Sequence, residues 1–174
     1  MANDLRYPIG EFSEVPATDD VRAGAIRDLE GLPAAMRTAV AGFTDAQLDT
    51  AYRPGGWTVR QLVHHVPDSH VNGYVRLKLA LTEDAPVIKP YDENAWAALP
   101  DSGLALDLAL NLLDAVQVRW VAMYRAMSSA QFARVYVHPE RGQAVSLDRH
   151  LQHYAWHSRH HVAHVTALRQ REGW

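Results

Sequence analysis

Between positions 150 and 164 the chain reads HLQHYAWHSRHHVAH, which holds six of its ten histidines. Histidine is the commonest protein ligand for transition metals, and two imidazoles at positions i and i+4 of a helix lie on one face, one turn apart. That spacing occurs three times here, as His153/His157, His157/His161 and His160/His164. Spacing alone therefore points to a metal without choosing a pair. Taking about 100° per residue, His153, His160 and His164 fall within about 40° of one another, with His157 slightly further round toward Tyr154 and Val165. His161 sits closer still to that apolar face, and His150 stands near the helix start. A single histidine of this kind is ordinarily a packing residue bonded to a neighbour. Burying several imidazoles without partners costs about 1–3 kcal/mol each, so a dense cluster calls for a function, and metal binding is the one its spacing fits.

The chemistry is bounded by composition. The 174 residues fit one domain, 1–174, with 48% hydrophobic and 21% charged residues, which is an ordinary globular composition. A net charge of -3 gives no basic field for nucleic acid. With no cysteine, disulfides and thiolate ligation are excluded, and a metal must be held by nitrogen and oxygen. No stretch approaches the length of an apolar membrane span, and the start, MANDLRYPIGEF, has no leader pattern, so the expectation is a cytoplasmic protein.

Helices must carry the histidines. Pro8, Gly10 and Pro16 make residues 1–17 an extended arm. Thr18 is an N-cap, followed by Asp19 and Asp20 at the positive end of a helix dipole. Ala25, Ile26, Leu29, Leu32, Met36 and Val40 then trace a helix over 19–41, bent at Pro33. Residues 44–48 form a short capped turn, and Pro54-Gly-Gly56 a tight turn. Thr58 caps a second long helix over 58–82, with Val59, Leu62, Val63, Val66, His70, Gly73, Tyr74, Leu77 and Leu81 on one face. It offers a third ligand from His64 or His65, and Pro67 should kink it beside them.

Residues 83–103 carry three prolines and read as a long connection, with one helical turn at 93–99, of the kind that walls or covers a site. A third helix over 104–127 follows Leu104, Leu108, Leu112, Ala115, Val116, Trp120, Met123 and Met127. Val135-Tyr-Val137 and Ala144-Val145 flank a Pro-Glu-Arg-Gly turn as a small hairpin. A fourth helix runs over 147–171. The fold class is all-α, an antiparallel four-helix bundle with a small β-hairpin before the last helix, an architecture that builds metal sites from inward-facing side chains.

Longer motifs carry a resemblance. Tyr7-Pro-Ile-Gly10, Gly55-Gly-Trp-Thr-Val-Arg-Gln61, His64-His65 with Asp68-Ser-His70, the segment from Leu81-Thr-Glu through Lys89-Pro-Tyr-Asp-Glu-Asn-Ala-Trp96, and Trp156-His157 through His164 resemble the YfiT branch of the DinB/YfiT superfamily over nearly the whole chain. The resemblance implies a four-helix bundle holding one divalent metal through one histidine of the second helix and an HxxxH pair of the fourth; three imidazoles suit zinc, nickel, copper or iron, zinc and nickel foremost. Carried onto this chain, it implies His65, His160 and His164 as ligands. Two positions depart from the pattern: Pro67 interrupts a helix expected to be continuous, and Arg159 stands where some relatives have a histidine.

A metal held by three histidines keeps an open position, as in catalytic sites. Water bound there is brought toward a neutral pKa, and a thiol is deprotonated. The resemblance implies thiol S-transfer, with a low-molecular-weight thiol such as bacillithiol attacking a small electrophilic substrate, or hydrolysis through metal-bound water. A non-catalytic, stress-associated metal-binding helical protein is the alternative from a different class. Arg60, Arg76, Lys78 and Lys89 are candidates for the carboxylates of such a thiol. His64, Asp68, His157 and His161 are candidate catalytic residues that orient a ligand's second nitrogen or move protons. Tyr91, Asp92 and Trp96 are candidate pocket walls, while Trp57, Trp120, Trp156 and Trp174 read as packing. Bundles often pair through an exposed apolar face, which allows a homodimer, but the sequence does not point to that face.

Overall fold

The computed structural model describes residues 5–140 and 142–174. Residues 1–4 of the expected arm and Arg141 of the hairpin turn lie outside them. Four long helices dominate: α1 Asp19–Val40, α3 Val59–Thr82, α5 Leu106–Ala126 and α7 Leu147–Glu172. Short helices α2 Asp45–Leu48, α4 Glu93–Ala97 and α6 Ser129–Phe132, and a 3-10 turn Pro100–Gly103, lie in the connections. Strands β1 Val135–His138 and β2 Gln143–Ser146 form an antiparallel hairpin in which Tyr136 pairs with Val145.

The helices begin where their caps say. Thr18 accepts from Val21 N, and Thr58 forms a capping box with Gln61. Ser146 accepts from Arg149 N to start α7, and Gly173, at φ 70°, closes it in the left-handed conformation that favours glycine. Both α1 and α3 remain helical through Pro33 and Pro67.

Side-chain pairs fix the helix directions. Arg22 meets Asp148, Arg159 meets Asp28 and Arg169 meets Ala39 O, so α1 and α7 run parallel. His64 meets Leu104 O, His70 meets Gln117 and Tyr74 meets Trp120, so α3 and α5 also run parallel. Arg37 pairs with Asp114 while Arg125 pairs with Glu30, which makes α1 and α5 antiparallel. His65 faces His161 while Ser69 meets Tyr154, which makes α3 and α7 antiparallel. Each adjacent pair is thus α1 with α5 or α7, and α3 with α5 or α7. A parallel α3 and α5 require residues 83–105 to return along the bundle, which is why that connection is long. On its way it bridges Val87 to Val137 and is pinned to the start of α3, where Gln61 Nε2 donates to Ala97 O and Trp57 Nε1 to Asn94 Oδ1.

The buried face of α5 includes the expected Val116 and Trp120 but is turned away from the expected leucines. Leu104, Leu108 and Leu112 are exposed, and Leu110, Leu113, Val116, Gln117, Trp120 and Tyr124 face the core. This stretch is apolar on nearly every side, so its period leaves the inward face open and its neighbours choose it.

Two apolar clusters fill the bundle. One gathers Leu29, Leu77, Trp120, Leu151 and Tyr154, and the other Leu32, Met36, Leu62, Val63, Leu113, Val165 and Leu168. Between them, at residues 65–70 of α3 and 157–161 of α7, the interior is a layer of histidines. Among the described residues no helix is long and apolar enough to cross a membrane.

Candidate metal centre

His65 projects from α3 toward α7, where it meets His157 and His161 at ring-centroid distances of 5.6 and 5.0 Å. One ring nitrogen from each of the three lies within 4.8 Å of the others. The Nε2 atoms of His157 and His161 are 3.0 Å apart. Three nitrogens bound at about 2.0–2.1 Å in tetrahedral geometry stand about 3.3 Å from one another, close to the spacing of the His157 and His161 Nε2 atoms.

The donor set suits a metal electrostatically. Burial lowers His65 to about 4, and burial followed by neighbouring histidines holds His157 and His161 well below 6.5. All three are neutral at pH 7, the state in which imidazole ligates. Trp57, from the turn before α3, packs on His65 at 4.5 Å.

The trio opens into a cleft of about 640 Å³ bounded by α3, α7, the turn before α3 and the long connection. Arg53, Arg76 and Tyr91 line it. Arg53 Nε is buried without an acceptor among the described residues. Tyr91 is pushed up to about 12, first by burial, so its hydroxyl stays protonated.

The sequence expectation was His65, His160 and His164; the ring nitrogens that lie together with that of His65 are those of His157 and His161. On α7 the pair His160/His164 is rotated by about 60° from His157/His161. His160 and His164 instead pair with each other, Nε2 to Nε2 at 3.0 Å, against Trp156 and Tyr52. Both still line the cleft, and burial holds them at about 4 and about 3.

Of the four candidate catalytic residues, His157 and His161 belong to the trio, whereas His64 and Asp68 do not line the cleft. They are turned from His65 by about 100° and about 60° around α3. His64 Nε2 donates to Leu104 O, and Asp68 lies near Asp101, with burial raising it to about 6. Among the proposed cations, Arg60 is tied to Asp45 and Asp49, and neither Lys78 nor Lys89 reaches the cleft, which leaves Arg76. Asp92 caps α4, and Trp96 packs on Tyr91. Trp57 and Trp156 line the cleft as well as packing. His150 is a core residue bonded to Tyr136, and His153 lines the cleft.

Two buried residues beside the trio were given no role from the sequence. His70 lies 3.3 Å from His157, Nε2 to Nδ1, and its own Nδ1 meets the side-chain amide of Gln117. The signal for His70 was a histidine on the apolar face of α3; Gln117 had none, because the inward face of α5 was ambiguous.

The family model described as DinB superfamily matches residues 28–165. A Bacillus cereus (strain B4264) protein bearing the name "Putative metal-dependent hydrolase" is 49% identical over 173 residues, covering 99% of each chain. A Bacillus mycoides (strain KBAB4) protein of the same designation is 48% identical over 172 residues, 98% of this chain and 99% of that one. Among solved structures, YfiT from Bacillus subtilis superimposes with a TM-score of 0.96 at 47% identity, covering 98% of this chain and 99% of that one. It is described as "a probable metal-dependent hydrolase with an unusual four-helix bundle topology".

Proposed function

This chain belongs to the DinB superfamily, and from that premise we propose that it is a metal-dependent enzyme whose single divalent ion is held by His65, His157 and His161. The observation that carries this reading is the convergence of three neutral imidazoles from two helices within one cleft. Such a set leaves a coordination position open, and the ion supplies Lewis acidity that makes water or a thiol nucleophilic near neutral pH. Zinc and nickel both accept three imidazoles.

The chain's own residues would bind and orient the substrate. Arg53 and Arg76 are fixed positive charges facing the cleft, suited to carboxylate or phosphate groups. Tyr91 presents a hydroxyl that donates a hydrogen bond at neutral pH. Trp57 and the pinned connection hold His65 in place.

Hydrolysis is the reading that the relatives' names support. Transfer of a low-molecular-weight thiol, of the bacillithiol type, to a small electrophile is the second. It is favoured by a cleft roomy enough for a charged thiol beside an acceptor, within the range of about 300–1,000 Å³ typical of ligand pockets. The chain has no cysteine, so the thiol would arrive as substrate.

The test is an assay of protein stripped of metal and reloaded with zinc or nickel. Turnover of activated esters and amides without thiol supports hydrolysis. Metal-dependent loss of monochlorobimane only with bacillithiol or another small thiol supports transfer. A metal-loaded sample inert in both would favour a metal-binding protein without catalysis.

A further inference from the structure

We propose that His70 and Gln117 form a buried relay that sets the tautomer of His157 and thereby presents its Nε2 lone pair to the metal, an inference that rests on the three-histidine reading above. The two nitrogens of His157 face different surroundings. Nε2 points to His161 at 3.0 Å, on the cleft side, and Nδ1 points to His70 Nε2 at 3.3 Å, in the core. His70 is fully buried, 0% exposed, with Trp120 and Tyr154 set edge-on to its ring. Gln117, 2% exposed, meets its far nitrogen from α5. The relay therefore crosses three helices, α7, α3 and α5. His161 has no such support, because its Nδ1 is buried without a partner among the described residues.

A neutral imidazole has one N–H and one lone pair. If His157 ligates through Nε2, its proton sits on Nδ1 and is donated to His70 Nε2. His70 then carries its own proton on Nδ1, and that N–H needs an acceptor. Among the described residues the side chain that meets this nitrogen is Gln117, so the amide must turn its oxygen toward His70. With the amide the other way, Nε2 donates to His70 Nδ1, Gln117 Oε1 is left without a partner, and the proton of His157 is driven onto Nε2, where it blocks ligation. The two ends of an amide have the same shape, and one of them faces apolar core in either orientation. Hydrogen bonding within the core does not choose between them; ligation by His157 does. His70 and Gln117 are positioning residues, acting on the metal through His157, as partners of metal-bound histidines do.

The test is a cobalt(II) and zinc(II) titration of metal-free full-length protein and its Gln117 variants, with thermal unfolding confirming that each is folded. Gln117→Met, which can neither accept nor donate in this way, should weaken cobalt(II) binding about 10–100-fold and shift the cobalt d–d bands. Gln117→Glu, which only accepts, should keep or tighten binding. Gln117→Met without effect, or Gln117→Glu weakening binding as much as Gln117→Met, overturns the relay. A variant-free readout is the nitrogen-15 spectrum of zinc-loaded wild type, where His157 and His70 should both carry the proton on Nδ1. A proton on His70 Nε2 refutes the proposal even if no variant folds. Wild type that binds neither metal at one equivalent would instead overturn the three-histidine reading itself.

Discussion

A histidine serves a metal only through a nitrogen that carries no proton, so its neighbours matter as much as its position. His65, His157 and His161 are held neutral by burial, and their nitrogens converge; His160 and His164, four residues apart on the same helix, converge only on each other. Replacing His161 or His157 with alanine should therefore lower zinc affinity by well over the ~100-fold expected for an outer partner, read as metal content after dialysis and as Kd by chelator competition. His160→Ala should retain one equivalent of metal. The reverse pattern would restore the pair His160/His164 as ligands.

At the scale of elements, the site depends on how closely α3 and α7 approach. Gly73 makes that approach feasible, since a Cβ there would stand 2.5 Å from both the Trp120 and Tyr154 rings. Tyr154 in turn donates to Ser69 O, one turn from His65. Gly73→Ala should overpack the crossing, destabilising the fold by about 1–3 kcal/mol in urea unfolding and weakening metal binding by spreading His65 from the α7 pair. Unchanged stability would mean that the rings shift freely. At the start of α3, Thr58→Ala removes a capping box and should cost about 1 kcal/mol by the same measurement.

For the whole molecule, the histidine layer couples folding to pH. His65, His70 and His164 are lowered from 6.5 to about 4, about 3 and about 3 in the folded chain, chiefly by burial. Between those values and 6.5 the unfolded chain binds protons that the folded chain does not, so stability rises with pH across this window. Metal-free protein should be most stable above about pH 6.5 and should lose about 1.4 kcal/mol per pH unit for each such histidine as the pH falls toward 4, read as the urea midpoint against pH. A midpoint that stays flat from pH 7 to 4.5 would show that these histidines remain solvated. Bound metal should extend the stable range, because protons and metal compete for the same lone pairs.

The residues determined a good deal without any coordinates. The caps Thr18 and Thr58, the helical period and the hairpin pattern around 135–145 placed the elements because those signals are local: a side chain bonds a backbone group three residues away, or a face repeats every 3.6 residues. The density of histidine, with no cysteine to compete, pointed to a nitrogen-ligated metal. The tertiary structure decided which histidines meet, because the i, i+4 spacing occurs three times on α7 and only the approach of α3 selects one phase. It likewise turned Leu108 and Leu112 outward and Gln117 inward on α5, where apolar residues surround the helix and the period is silent. His70 and Gln117 are 47 residues apart in the chain and joined in the core by a parallel packing of α3 and α5 that no local pattern encodes.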